Sequence, residues 1–303
     1  MKRLFVINPS AGGGSARRLA GWERYFRRSL GEFPYVLTRD RADIERQTRI
    51  ALQDGVEQIV AVGGDGTVNS VANGFFENGR PVSPRARLAV ARAGSGSDYY
   101  RTLVGRSRRP WWEIVGEHAV RPVDLGRITF SDGRSFFFLN MATFGLAAEV
   151  VKAKARLPGL VPNALGYLLP TLGQVFSYAP QPLELRLDEQ LVEGDILALF
   201  VAKGQFAGGG MRLGGEVTLH DGKLGVTLVR GMGLAERLRR LPQLYLGLET
   251  GPSIIKTTAR RISARAPRPI AVETDGEPMG TTDVELDVVP GVLNLCFPVE
   301  KTP

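Results

Sequence analysis

Residues 58–69 read Gln58-Ile59-Val60-Ala61-Val62-Gly63-Gly64-Asp65-Gly66-Thr67-Val68-Asn69. The run from Gln58 to Val62 is apolar after its first residue and has the length of a buried strand. It passes straight into two glycines. A helix is expected from about Thr67, with Val68, Val71 and Phe75 at helical spacing. Glycines let the backbone come close to a ligand and take positive φ. The free amides at a helix start present a positive end to an anion. Asp65 cannot bind phosphate directly, because like charges repel. It can reach a phosphate through Mg²⁺ or accept a hydroxyl. Taken alone, such a strand-to-helix turn is often only a tight turn.

The flanking segments give the turn a setting. Leu4–Ile7 is a short apolar run ended by Asn8-Pro9 and the glycines 12–14. Residues 15–30 read as a helix, Tyr35–Thr38 as a strand, 40–53 as a helix and Leu88–Ala91 as a strand. Strands alternating with helices at this spacing predict a parallel sheet in a doubly wound α/β domain. In such a sheet the carboxyl ends of the strands share one edge, where ligands bind. The loops Asn8–Gly14, Gly63–Thr67 and Ala93–Asp98 should therefore gather on one rim. None matches the Walker pattern, and none matches G-x-G-x-x-G well.

The pattern changes near residue 122. From Val123 to Leu139 and from Leu183 to Phe297, short β-rich runs are separated by Gly, Asp and Pro. Leu183, Leu185 and Leu187 alternate with Glu184, Arg186 and Asp188, the mark of a half-exposed strand. This half reads as a mostly antiparallel sandwich with helical inserts. The expected partition is 1–124 and 125–303. One insert, residues 157–183, carries no charged side chain, yet Pro158, Pro162, Pro170 and Pro180 suit a spanning helix poorly. A buried or membrane-facing helix around 164–178 fits better. A second insert, Leu234–Leu246, sets Leu234, Leu238, Leu241 and Tyr245 in one stripe beside Arg237, Arg239 and Arg240. A basic amphipathic helix can lie on an anionic membrane. It can equally be an ordinary packed surface helix.

Composition bounds the rest. The 303 residues are 43% apolar and 23% charged, which excludes a disordered, collagenous or disulfide-built chain. The net charge of +8 favours an anionic partner. Of the basic residues 32 are Arg and 7 are Lys, a bias that genome composition explains as well as phosphate contacts do. The cluster Arg106, Arg108, Arg109 and Trp111-Trp112 is the nearest thing to a nucleic-acid signal, and a surface loop explains it equally, so no nucleic-acid partner is expected. The lone Cys296 sits in a strand-like apolar run and should be buried and inert. His118 and His220 are the only histidines, which disfavours a His-rich metal site or a Ser-His-Asp hydrolase. The first apolar stretch, Leu4–Ile7, is shorter than the roughly 7–15 residues of a secretory core, so a cytoplasmic protein is expected.

The motifs together resemble the diacylglycerol kinase catalytic domain family, which includes bacterial lipid kinases and sphingosine kinases. Asn8-Pro9 with its glycines is similar to the family's first loop. Gly63-Gly64-Asp65-Gly66-Thr67 is similar to its nucleotide loop, and Gly94–Asp98 lies where a Gly-Thr-x-Asn-Asp stretch is usual. Gly208-Gly209-Gly210-Met211 is similar to its sandwich-domain glycine motif. Asp221-Gly222-Lys223-Leu224 resembles a metal-associated turn, and Asp275-Gly276-Glu277-Pro278 the catalytic Asp-Gly-Glu. The resemblance implies ATP-dependent phosphorylation of a lipid hydroxyl. It implies an α/β nucleotide-binding domain followed by an antiparallel β-sandwich lipid-substrate domain, with the active site in the interdomain cleft. It makes Glu277 the general base, with Asp275 beside it. It sets Asn8, Thr38, Gly63, Gly64, Asp65, Gly66, Thr67, Asn69, Gly94 and Ser95 around ATP. It implies one Mg²⁺ on the ATP phosphates at Asp65. A second, structural Mg²⁺ is implied at the Asp221 carboxylate and the backbone oxygens of Thr218 and Lys223. It also implies peripheral contact with an anionic membrane, and leaves a homodimer open.

Two departures qualify this. Ser95 and Ser97 stand in the Gly-Thr-x-Asn-Asp stretch, and Lys203 stands where the family often has Asn. Both touch substrate preference and activity. They keep in view a catalytically weak lipid- or nucleotide-binding regulator. An NAD kinase shares the Gly-Gly-Asp-Gly loop, but its second Gly-Ser-Thr signature is not apparent here. The acceptor is not specified: diacylglycerol, phosphatidylglycerol, a sphingoid base and an isoprenoid alcohol all suit the same motifs.

Overall fold

The structure is a computed structural model that describes residues 1–9, 19–92, 98–105, 111–116, 118–156, 163–213, 215, 217–246 and 251–299. The chain divides into two compact units. Unit 1 is Met1–Asp124 with Pro290–Pro303, and unit 2 is Leu125–Val289. The expected partition kept residues 125–303 together, whereas here Pro290–Pro303 falls in unit 1.

Unit 1 holds β1 (Arg3–Ile7), α1 (Leu19–Leu30), β2 (Tyr35–Leu37), α2 (Arg41–Gln53), β3 (Gln58–Gly63) and α3 (Asp65–Gly74). The short β4 (Phe76–Glu77) and β5 (Arg80–Pro81) follow, then β6 (Arg87–Arg92), α4 (Asp98–Val104) and α5 (Trp111–Gly116). The strand β7 (His118–Phe130) carries the chain into unit 2. Unit 2 continues with β8 (Ser135–Phe138), β9 (Met141–Gly145), α6 (Leu146–Ala155), α7 (Asn163–Ser177), β10 (Gln181–Leu187) and β11 (Gln190–Ala202). Next come β12 (Phe206–Ala207), β13 (Met211–Arg212), β14 (Leu224–Arg230), α8 (Leu234–Leu246) and β15 (Ile254–Ala259). It closes with β16 (Arg261–Arg265), β17 (Ala271–Thr274), β18 (Glu277–Thr281) and β19 (Val284–Pro298).

In unit 1 the strands run β2-β1-β3-β6-β19, and every pairing is parallel. All six residues of β3 are buried, as an apolar strand covered on both faces must be. The last residues of β19 complete the sheet by pairing Asn294 with Arg87 and Leu295 with Leu88. That pairing is why the C-terminal segment belongs to unit 1. Cys296 in this segment is buried as expected, and that burial pushes its thiol up to about 11. Phe5 of β1 packs against Phe26 of α1 and Phe33, with ring centroids 4.7 and 4.5 Å away. The strand order reverses between β1 and β3. In open α/β sheets the crevice beyond the carboxyl ends at such a reversal is the ligand site.

Unit 2 is antiparallel. Its main strand order is β18-β17-β9-β11-β10-β16-β19, with β14 joining β11 to β15 and β7 joining β8 to β19. The long β11 serves two neighbours on one edge: Gln190–Ile196 pairs with β10 and Ala198–Ala202 with β9. Leu183, Leu185 and Leu187 are buried while Glu184 and Arg186 are exposed, so the period-two reading of β10 holds. These leucines join Phe138, Phe144, Leu199, Val226, Ile262 and Leu286 in one core. The helix expected over 164–178 is α7. Among the described residues no helix is long and apolar enough to cross a membrane.

Candidate active site

In unit 1 the glycine turn lies at the strand reversal. Gly63 ends β3 with its backbone tucked under Thr67: a Cβ there would fall 2.3 Å from the Thr67 hydroxyl oxygen. Only glycine lets the Thr67 side chain fold back over the strand end. That placement lets Asn8, just past β1, donate its amide N–H to Thr67 Oγ1 at 3.1 Å. The carboxyl ends of β1 and β3 are thus tied together by side chains.

Asp65 opens α3 and reaches the next helix. Its Oδ2 accepts the Asp98 N–H and its Oδ1 the Tyr99 N–H, both at 3.1 Å. These are two of the amides that the start of α4 leaves without helical partners. Asp98 is buried and pairs with Arg101 at 2.7 Å.

The expected nucleotide residues divide by position. Asn8, Gly64, Asp65 and Gly66 are partly exposed at the rim, and Gly63 and Thr67 are buried directly beneath them. Thr38 is buried, with its hydroxyl donating to the Ile7 carbonyl at 3.1 Å. It holds the end of β1. Asn69 is buried within α3 and accepts the Asn73 side chain on both Oδ1 and its carbonyl, 3.0 Å each. Both residues expected around ATP are thus buried and hydrogen-bonded within unit 1. Gly94, Ser95 and Ser97 lie outside the described residues, as do Arg106, Arg108 and Arg109.

In unit 2 the Asp-Gly-Glu segment is the hairpin between β17 and β18. Thr274 pairs with Glu277, leaving Asp275 (φ 50°) and Gly276 (φ 90°) as a two-residue turn. Positive φ at both central residues is the signature of a type I′ hairpin, and Asp-Gly is a preferred pair for it. The plain-turn reading of this motif is therefore met by the geometry.

The Asp275 carboxylate is buried and faces the backbone. Its Oδ2 accepts the Leu139 N–H at 2.8 Å, and its Oδ1 accepts those of Asn140 at 3.0 Å and Met141 at 2.7 Å. Asp275, expected beside the base, anchors the turn that leads into Glu277. Glu277 is half-buried on the edge strand β18. Burial draws the Lys154 ammonium of α6 below its ordinary range, and the charge of Glu277 opposes that.

Glu273 was not among the expected site residues. It is buried on β17, where Thr143 donates to Oε1 at 2.6 Å and the Gly276 N–H to Oε2 at 2.8 Å. Burial pushes its carboxyl up to about 8, with Asp275 and Glu277 adding to the rise. Burial thus favours the protonated form of this acid behind the turn. The acids at every second position, Glu273, Asp275 and Glu277, were the available sequence signal.

The expected structural metal turn holds something else. The Thr218 carbonyl, the Lys223 carbonyl and Asp221 Oδ1 converge on Lys203 Nζ at 2.7, 2.9 and 3.0 Å. The residues do not fit a divalent ion there, because an ammonium occupies the position. Burial alone would push the Asp221 carboxyl up. The Thr218 amide and Lys203 outweigh it and hold the group below the usual carboxylate range.

Residues 2–128 match the diacylglycerol kinase catalytic domain, and residues 140–297 match the YegS C-terminal NAD kinase beta sandwich-like domain. The chain belongs to this diacylglycerol kinase catalytic domain family and carries the YegS-type C-terminal domain. It is 27% identical to a Stenotrophomonas maltophilia protein named "Probable lipid kinase YegS-like", over 98% of this chain and 96% of the other. It is 29% identical to a Klebsiella pneumoniae protein of the same name, over 86% and 85%. A crystal structure described as a diacylglycerol kinase from Bacillus anthracis superposes with a TM-score of 0.71 at 20% identity, covering 98% of this chain and 97% of that one. Another from the same organism gives 0.77 at 24% identity with the same coverage. Identities this low speak for the fold.

Proposed function

We propose that this chain is an ATP-dependent lipid kinase, transferring the γ-phosphoryl group to a lipid hydroxyl. The observation that carries it is Glu277. It is a carboxylate at the exit of a turn that Asp275 ties to three backbone amides. Such a group is suited to take the proton of an acceptor hydroxyl. The acceptor oxygen bonds to the γ-phosphorus, the bond from that phosphorus to the bridging oxygen breaks, and ADP leaves. The acceptor proton passes to Glu277. Phosphoryl transfer asks the protein mainly for positioning and charge stabilisation, and the amides at the start of α3 suit an anion there. The Mg²⁺ that accompanies ATP would be held by the Asp65 carboxylate, a hard oxygen ligand, and would neutralise phosphate charge. The names of the Stenotrophomonas and Klebsiella relatives support the same class of substrate.

Labelled ATP, mixed with the protein and lipid-extract vesicles, is expected to give a labelled, solvent-extractable lipid. ATP binding without product would instead support the regulator reading. Label appearing in added NAD would revive the NAD kinase reading.

Contact with the membrane is assigned to α7. Leu169, Leu172 and Phe176 lie on one face of that helix and are exposed, Leu169 by 56% and Phe176 by 58%. The basic face expected of α8 is weaker than its sequence suggested. Arg237 is spent on the α7 end, donating to the Val175 and Tyr178 carbonyls at 3.0 and 2.7 Å. Arg240 is buried and paired with Glu236 at 2.7 Å, so Arg239 alone of the three stays exposed. Phe176→Asp is expected to lower binding to anionic vesicles about tenfold or more, given the transfer energy of a buried aromatic ring. Unchanged co-sedimentation would remove α7 from the contact.

A further inference from the structure

We propose that the Lys203 ammonium is the resident cation of the Thr218–Lys223 turn, so that unit 2 keeps this turn folded with no divalent metal in it. The Lys203 side chain is completely buried. A buried ammonium is costly unless paired and hydrogen-bonded. Here each of its three donors has an oxygen: two carbonyls and one carboxylate, at 2.7–3.0 Å. Those are hydrogen-bond lengths, longer than the roughly 2.0–2.6 Å of Mg²⁺ or Ca²⁺ to oxygen. The cage carries one negative charge from Asp221, and Lys203 neutralises it.

The cage is built independently of its occupant. Asp221 Oδ2 accepts the Thr218 N–H at 2.8 Å, and Oδ1 accepts the Lys223 N–H at 3.1 Å. The turn thus presents its carbonyls inward whatever fills the centre. The lysine is also fixed at its root. It follows directly on β11, and the N–H groups of Lys203 and Gly204 both donate to the Asn140 carbonyl at 2.9 Å. The Asn140 N–H in turn donates to Asp275. One continuous network therefore runs from the cage to the Asp-Gly-Glu hairpin, all within unit 2.

The test is thermal melting of the full chain without nucleotide, in excess EDTA and then in millimolar magnesium or calcium chloride. The wild type is expected to melt at the same temperature in all three, within about a degree. Lys203→Asn empties the cage. It is expected to melt about 5 °C or more lower in EDTA and to regain several degrees when either ion is added. Lys203→Met, whose apolar side chain still fills the space, is expected to melt lower and stay there. A wild type that loses several degrees in EDTA and recovers them with magnesium overturns the proposal. So does a Lys203→Asn protein that melts like the wild type, or one that neither ion restores. Should Lys203→Asn fail to fold, the wild-type comparison still decides. None of these readings depends on kinase turnover.

Discussion

Glu277→Gln is expected to lower lipid phosphorylation by about 10²–10⁴, the usual contribution of a positioned general base. The substitution keeps the shape of the side chain and removes its ability to take a proton. The hairpin should survive it. Glu277 is half-buried on an edge strand, and its register with Thr274 is made by the backbone. Asp275 still anchors the turn, so the melting temperature should stay within a degree or two. The loss should appear in kcat with KM for ATP unchanged, because the interaction removed acts in the transition state. Retained turnover in Glu277→Gln would move the base elsewhere. Glu273 is a poor substitute, being buried and favoured in its protonated form.

The elements legible in the sequence are those set by periodicity. The apolar run of β3 and the alternation of β10 fixed their own type and burial, since a strand's faces follow from its pattern. The glycine turn was legible for a similar reason: Gly63 is required by the close approach of Thr67. What escaped was pairing between distant segments. Nothing local in β19 says that its last residues lie beside β6, because a parallel pairing leaves no turn signal. That pairing, with the Asn294 side chain on the Pro84 carbonyl and Gly291 on Asp124, ties this segment to the first unit.

The candidate site shows the same limit. The sequence marked which residues matter and was less informative about what each touches. Thr38, Asn69 and Asp275 were expected at the site, and nothing local in the sequence showed that each is also hydrogen-bonded to protein. Lys203 stood out as a departure from the family pattern. Its meaning needed the fold, which brings the end of β11 against a turn 15 to 20 residues further on. The same holds for α8, where three arginines read as one basic face. Two of them are structural partners of α7 and Glu236.

Asp275→Ala carries the largest expected cost in stability. Three buried N–H groups, those of Leu139, Asn140 and Met141, would lose their acceptor at once. Each buried donor left unsatisfied costs about 1–3 kcal/mol. Alanine must also hold φ 50°, where a left-handed conformation costs a further 1–2 kcal/mol or so and Asp is better tolerated. The total is about 4 kcal/mol or more, a fall in melting temperature on the order of 10 °C for a unit of this size. Asp275→Asn separates the parts of that cost. Its carbonyl oxygen can still accept from Asn140 and Met141, and asparagine suits the turn. Its amide nitrogen would meet the Leu139 N–H, donor against donor. The loss should therefore be smaller, near the cost of one unsatisfied donor, about 1–3 kcal/mol. Urea unfolding of the full-length variants gives the order directly: wild type, then Asn, then Ala. Both variants should also lose lipid phosphorylation, since Glu277 hangs from the turn that Asp275 fixes. An Asp275→Ala protein as stable as the wild type but inactive would contradict the anchoring role. It would return Asp275 to the chemistry itself.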